Sequence, residues 1–189
     1  MRPPVRVRFD GVSAADALGQ GWYLTLSSAP GPDRCVPFGR SGKVVLALGA
    51  GPTCTAEQGT SVLVFGLTSP CTSNLPPSFP RTRAAQIECA WAFLEDEVKV
   101  DAITLTVDGG PALDLRRRKF EACSPQRHVL LAPGHGVAPE PATFTACGWI
   151  AWMADLPVGQ HELRSVATNS TGQEIHTWEP TIVVRPRAH

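Results

Sequence analysis

The stretch "TFTACGWIAWMADLPVGQHELRSVATNSTGQ" (143–173) decides the fold. Residues 143–154 are apolar and aromatic enough for a strand, and Pro157-Val158-Gly159 then supplies a tight turn. From 160 to 168 polar and apolar residues alternate, which puts His161, Leu163, Ser165 and Ala167 on one face of a second strand. "NSTGQ" (169–173) turns the chain again, into "EIHTWEPTIVV" (174–184). Strand, turn, strand, turn, strand is the rhythm of an antiparallel sheet. His161 stands at the mouth of its strand, either as a working residue or as the first inward side chain.

The same rhythm runs through most of the chain. "VRVRF" (5–9) alternates, and "GWYLTLSS" (21–28) is aromatic and β-branched enough for a strand. "KVVLALG" (43–49) and "TSVLVFGL" (60–67) are continuous apolar runs, as in central strands covered on both faces. "VDAITLTV" (100–107), the turn "DGGP" and "ALDL" (112–115) make a hairpin, and "HVLLA" (128–132) adds a strand. "PGPDRCVPFGRSG" (30–42) reads as a turn cluster and "TSPCTSNLPPSFPR" (68–81) as a long loop.

One helix interrupts the strands. Thr82 is a natural N-cap for "RAAQIECAWAFLEDEV" (83–98), with Ala84, Ile87, Trp91, Leu94 and Val98 in one apolar stripe. Ala85, Cys89 and Phe93 form a second apolar face. Glu95, Asp96 and Glu97 oppose the dipole at its end, so the helix stops near Leu94 to Asp96. About ten strands and one helix near 82–96 predict a mostly β chain. The expected architecture is a single domain, 1–189, built as a two-sheet antiparallel β-sandwich of jelly-roll or immunoglobulin-like type.

Composition narrows the function classes. Lys+Arg and Asp+Glu both number 17, so there is no net charge and no electrostatic case for nucleic acid or an anionic membrane. No run reaches the ~18 apolar residues of a membrane span. Six cysteines, at 35, 54, 71, 89, 123 and 147, include no CxxC and no zinc-finger spacing. They are either three disulfides in an oxidising compartment or six buried thiols in a reducing one. "MRPPVRVRFDG" (1–11) shows no apolar leader region, so export requires that the leader lie outside this chain.

Few residues point to chemistry. Neither GxSxG, GxGxxG nor a P-loop is present. The carboxylates Asp101, Asp108, Asp114, Glu121 and Glu174 are scattered through hairpins, where turn chemistry explains them. No His-x-His occurs, and no metal or cofactor is expected; His128, His135, His161 and His176 form a site only if strands bring them together. His135, in the Gly/Pro loop "APGHGVAPEP" (132–141), is the histidine best placed for a ligand. Arg116, Arg117 and Arg118 form a basic run that either guards a sheet edge or binds an anion or polysaccharide. Trp149 and Trp152, three apart in a strand, point to opposite faces, so one is buried and the other is a candidate stacking platform. Asn169-Ser170-Thr171 matches the N-glycosylation pattern within a turn.

Three segments together are similar to an uncharacterised group of secreted bacterial β-sandwich proteins. They are "CTAEQGTSVLVFGLTSPC" (54–71), "VDAITLTVDGGPALDL" (100–115) and "CGWIAWMADLPVGQHELRSVAT" (147–168). The group carries a Cys-x-x-Pro-x-Gly turn, a Val-Asp-Gly hairpin and a Leu-x-Pro-Gly-x-His turn. This chain departs from it in having Glu57 for a proline, an extra Val158 in the last turn, and Cys147 at an aspartate position. The resemblance implies export, a sandwich fold and a structural His161, with no activity attached. It also implies local disulfides, Cys35–Cys54, Cys71–Cys89 and Cys123–Cys147, each closing a loop worth roughly 3 kcal/mol. The expected function is an exported, disulfide-stabilised module that binds a ligand, glycan or partner through loops at 29–42, 68–81 and 133–142. The alternative is a hydrolase or metal-dependent oxygenase with a His/carboxylate site at the mouth of the sandwich. A cytoplasmic protein with buried thiols is the third.

Overall fold

A computed structural model describes residues 8–29, 33–76, 78–133 and 139–187. Two large sheets and two helices make up a mostly β structure. A short hairpin, β1 (Arg8–Phe9) and β2 (Val12–Ser13), leads into α1 (Ala14–Leu26). The first sheet holds β3 (Arg34–Phe38), β4 (Val44–Leu48), β6 (Ser61–Thr72), β9 (Glu121–Cys123), β10 (Arg127–Leu131) and β11 (Glu140–Met153). Its order is β10-β11-β6-β4-β3, with β9 also on β11. The second holds β5 (Thr53–Glu57), β7 (Val100–Val107), β8 (Leu113–Asp114), β12 (Gly159–Asn169), β13 (Glu174–Trp178) and β14 (Thr181–Arg185). Its order is β5-β14-β12-β7-β8, with β13 also on β12. α2 (Arg83–Ala92) continues into a turn of π-helix, Phe93–Glu97.

The sheets meet across the main core. Val62, Val64 and Leu67 of β6 and Trp149, Ala151 and Met153 of β11 pack with Ile103 and Leu105 of β7 and Leu163 and Ala167 of β12. A second core lies on the other face of the first sheet, where Leu63, Phe144, Ile150 and Trp152 meet Ala14, Ala17 and Leu18 of α1. Burying a large side chain of this kind contributes about 1.5–3 kcal/mol. The order is therefore α1, first sheet, second sheet, with α2 beside the second sheet against β11 and β6.

β6 serves both cores by alternation, Val62 and Val64 facing the main core and Leu63 the second, and it changes parity at Gly66 so that Leu67 rejoins the main core. The β11 partner of Leu67 is Trp149 and that of Phe65 is Ile150, so Gly66 bulges out of register. A Cβ there would lie 2.8 Å from the Trp149 carbonyl oxygen and 3.1 Å from Ile103 Cγ2. Gly148, at φ +148°, holds a backbone shape that side chains rarely adopt.

Several expectations need correction. "GWYLTLSS" is not a strand; it lies mostly in α1, started by Ser13, whose hydroxyl accepts from the Asp16 N–H at 3.1 Å. The loop expected at 68–81 begins only after Thr72, because β6 runs on to pair with β11. The turn cluster at 30–42 contains β3, and β5 was not foreseen. The described residues form fourteen strands rather than about ten, and β4–β6 and β14–β5 pair in parallel. α2 starts at the expected Thr82 cap, but its buried line is Gln86, Ala90 and Leu94; Ala84 and Phe93 are exposed.

Disulfides join Cys35 to Cys54, Cys71 to Cys89 and Cys123 to Cys147, with Cα separations of 5.4, 6.0 and 4.1 Å. The first ties β3 to β5, and so one sheet to the other. The second fastens α2 to β6, and the third links directly opposed residues of β9 and β11.

Candidate functional site: an aromatic groove beside the first helix

The sequence-predicted residues do not converge. His135 and the centre of its loop lie outside the described residues. His128 is exposed on β10 of the first sheet, whereas His161 and His176 belong to the second. Among the described residues, no group of three or more His, Cys, Asp or Glu side chains is arranged to hold a metal ion.

Neither Trp149 nor Trp152 is a platform. They do point to opposite faces, but both are fully buried, because α1 covers the face that an exposed Trp152 would need. The Trp149 ring is also occupied: Arg116 Cζ sits 4.4 Å from its centre, and Trp91 packs against it in a T-shaped pair with ring centres 5.0 Å apart. Arg116 donates to Glu95 Oε2 at 2.7 Å, and Arg117 to Asp114 Oδ2 at 3.0 Å. Arg117 and Arg118 are both exposed, and Arg118 stands at the start of a 3₁₀ turn.

His161 is buried and holds a turn. Its Nδ1 lies 2.9 Å from Asp108 Oδ2 and its Nε2 2.9 Å from the Pro157 carbonyl. Carboxylate and carbonyl oxygens only accept, so both ring nitrogens donate and the ring is an imidazolium. The hydrogen bond to Asp108 raises the His161 pKa above its usual value, and the same bond lowers that of Asp108. Asp108 also accepts the Glu162 N–H at 2.8 Å, so one carboxylate ties the β7–β8 turn to the start of β12. The ring is covered by its neighbours yet sits near the rim of the fold, so its desolvation does not offset the bond.

The feature best suited to a ligand was not foreseen. A groove of about 490 Å³ opens between α1, the β4–β6 part of the first sheet and β13. Its walls are Trp22 from α1, Phe65 and Thr68 from β6, Ala47 to Ala50 at the end of β4 and just beyond it, and His176 to Trp178 from β13. Hydrogen bonds fix two of the indoles: Trp22 Nε1 donates to Thr68 Oγ1 at 3.1 Å, and Trp178 Nε1 to the Ala47 carbonyl at 3.0 Å. Phe65 meets Trp178 edge to face with centres 6.2 Å apart. The His176 ring makes no hydrogen bond among the described residues. It is exposed at its outer side, yet the protein around it lowers its pKa by desolvation. A volume of this size, aromatic walls and a few polar groups are what a small-molecule site requires. A larger depression of about 740 Å³ lies beside Phe79 and Arg81, and its lining mixes prolines with Asn74, Glu140 and Thr143. Trp22 and Trp178 were visible as tryptophans, but nothing in a linear reading joins residues 22, 65 and 176–178.

No family model matches this chain, and no curated protein matches it significantly. Among solved structures it is similar to amebosin, at 7% identity and a TM-score of 0.26, covering 70% of this chain and 88% of that one. It is also similar to the cysteine protease inhibitor EhICP2 from Entamoeba histolytica, at 8% identity and a TM-score of 0.31, covering 75% and 94%. At those scores the likeness carries no argument about fold or function.

Proposed function

We propose that this chain is an exported, non-catalytic binding module whose ligand seat is the groove beside α1. One observation carries the reading: Trp22, Phe65 and Trp178 wall a groove in which His176 offers an unpaired ring. The three disulfides support an oxidising compartment, extracytoplasmic or secreted, as bridges of this kind persist there. The enzyme reading finds little support. His161 and Asp108 form the single His–carboxylate ion pair among the described residues, and both ring nitrogens are committed, one to a backbone carbonyl. A base needs a free nitrogen.

The test is a titration with N-phenyl-1-naphthylamine, an uncharged dye that brightens in apolar sites and accepts energy from tryptophan. Saturable one-site binding is expected in the wild type. Thr25→Phe, which fills the groove, should weaken it by about tenfold or more, since every 1.4 kcal/mol is tenfold. Dye that fails to bind, or binds the filled variant equally well, overturns the proposal.

A further inference from the structure

The groove lining has no formal charge, and the charged side chains around it are engaged with hydrogen-bond partners of their own. Its lining includes no Asp, Glu, Lys or Arg, and its one titratable residue is His176. Five charged side chains flank it. Asp33 accepts the N–H groups of Ala50 and Gly51 at 3.0 and 2.7 Å. Arg34 donates to the Leu24 carbonyl at 2.7 Å. Arg164 is held between Glu179, at 2.6 Å, and Glu174, at 3.3 Å. An ion entering the groove would lose water and find no counter-charge among the lining residues, which disfavours it.

From this, and resting on the groove being a ligand seat, we infer that the bound part of the ligand is an uncharged planar ring system carrying one hydroxyl, carbonyl or amide group. The rings lie against Trp22 and Phe65, where flat apolar faces are matched. The polar group meets His176 and Thr68. Desolvation favours the neutral imidazole, which offers one donor and one acceptor. The Thr68 oxygen accepts from Trp22, which leaves its own proton to donate.

Three naphthalenes of nearly equal shape test the inference by calorimetry at neutral pH: 2-naphthalenemethanol, 2-naphthoate and 2-naphthylmethylammonium. The alcohol should bind the wild type at least about tenfold more tightly than either ion, because each ion enters without a counter-charge. His176→Lys, at an exposed position, places a cation at the rim and should reverse the order of alcohol and naphthoate. If none of the three binds, the groove is not a ligand seat and both readings fall. If either ion binds the wild type as well as the alcohol does, the seat stands and selection for an uncharged ligand is refuted. A lysine variant that keeps the wild-type order refutes it equally.

Discussion

Asp108→Asn separates charge from shape at the turn held by His161. Asp108 sits at φ +52°, a left-handed conformation that Asn tolerates, so the backbone survives the exchange. The Asn carbonyl still accepts the Glu162 N–H, and its amide can donate to a neutral His161 that keeps its bond to the Pro157 carbonyl. What disappears is the attraction between imidazolium and carboxylate. The carboxylate side chain is 47% exposed, so solvent screens it, and the loss is about 1 kcal/mol, the upper end of the range for exposed pairs. For a chain of this length that is a fall of about 2–4 °C in Tm.

The pH dependence carries the sign. His161 has a raised pKa, so its contribution is fully present below its unfolded value, near 6.5, and is lost as pH rises through the folded value. Asp108 has a lowered pKa, so its contribution is present above about 3.8 and is lost as pH falls through the folded value. The two windows overlap in mildly acidic solution. Thermal melts of both proteins at constant ionic strength should therefore show the widest gap near pH 5–6, closing as the solution becomes alkaline. Subtracting the variant's curve cancels His176, whose lowered pKa acts in the opposite direction. A gap that is constant with pH, or that widens above neutrality, refutes the imidazolium assignment.

Other perturbations probe the packing. Gly148→Ala would drive a methyl into the Leu67 carbonyl and Thr68 at an unfavourable φ, and should cost about 3 kcal/mol or more, or abolish soluble expression. Gly66→Ala meets the Trp149 carbonyl and Ile103 at the bulge, and a loss of about 1–3 kcal/mol is expected in denaturant melts. Gln86→Leu keeps volume but strands the Thr145 hydroxyl, which donates to Gln86 Oε1 at 3.0 Å in a fully buried site. About 2 kcal/mol should be lost in the same assay, and an unchanged midpoint would show that the amide network is not holding α2 to β11. Peptide mapping without reduction should return the three local disulfides, and Cys35→Ser with Cys54→Ser should lower stability by about 3 kcal/mol.

Local chemistry made much of this fold readable. Pro157 to Gly159 marks a turn in any context, Asp108-Gly109-Gly110 marks another, and alternation from 160 to 168 fixes which side chains face inward. Those readings need no knowledge of distant residues. α1 is different. Residues 21–26 have the composition of a strand, with two glycines at 19 and 21 that weaken a helix. The Ser13–Asp16 cap and the docking of Ala14, Ala17 and Leu18 on the first sheet decide otherwise, and the buried glycines let the helix approach that sheet closely.

The error at the tryptophans descends from that one. A two-sheet sandwich without an outer helix has a wet face on each sheet, so one of Trp149 and Trp152 had to be exposed. With α1 in place, the Trp152 face is a second core, and Phe9 reaches that ring edge to face at 5.0 Å. The groove was hidden for the same reason. Trp22 forms its wall only when carried by α1 and tied to Thr68, 46 residues on, while Trp178 arrives from the other sheet. Turn residues betray strands locally. A site assembled from a helix, a bulged central strand and a hairpin of the opposite sheet leaves no periodic trace, because each contributes only three residues to it.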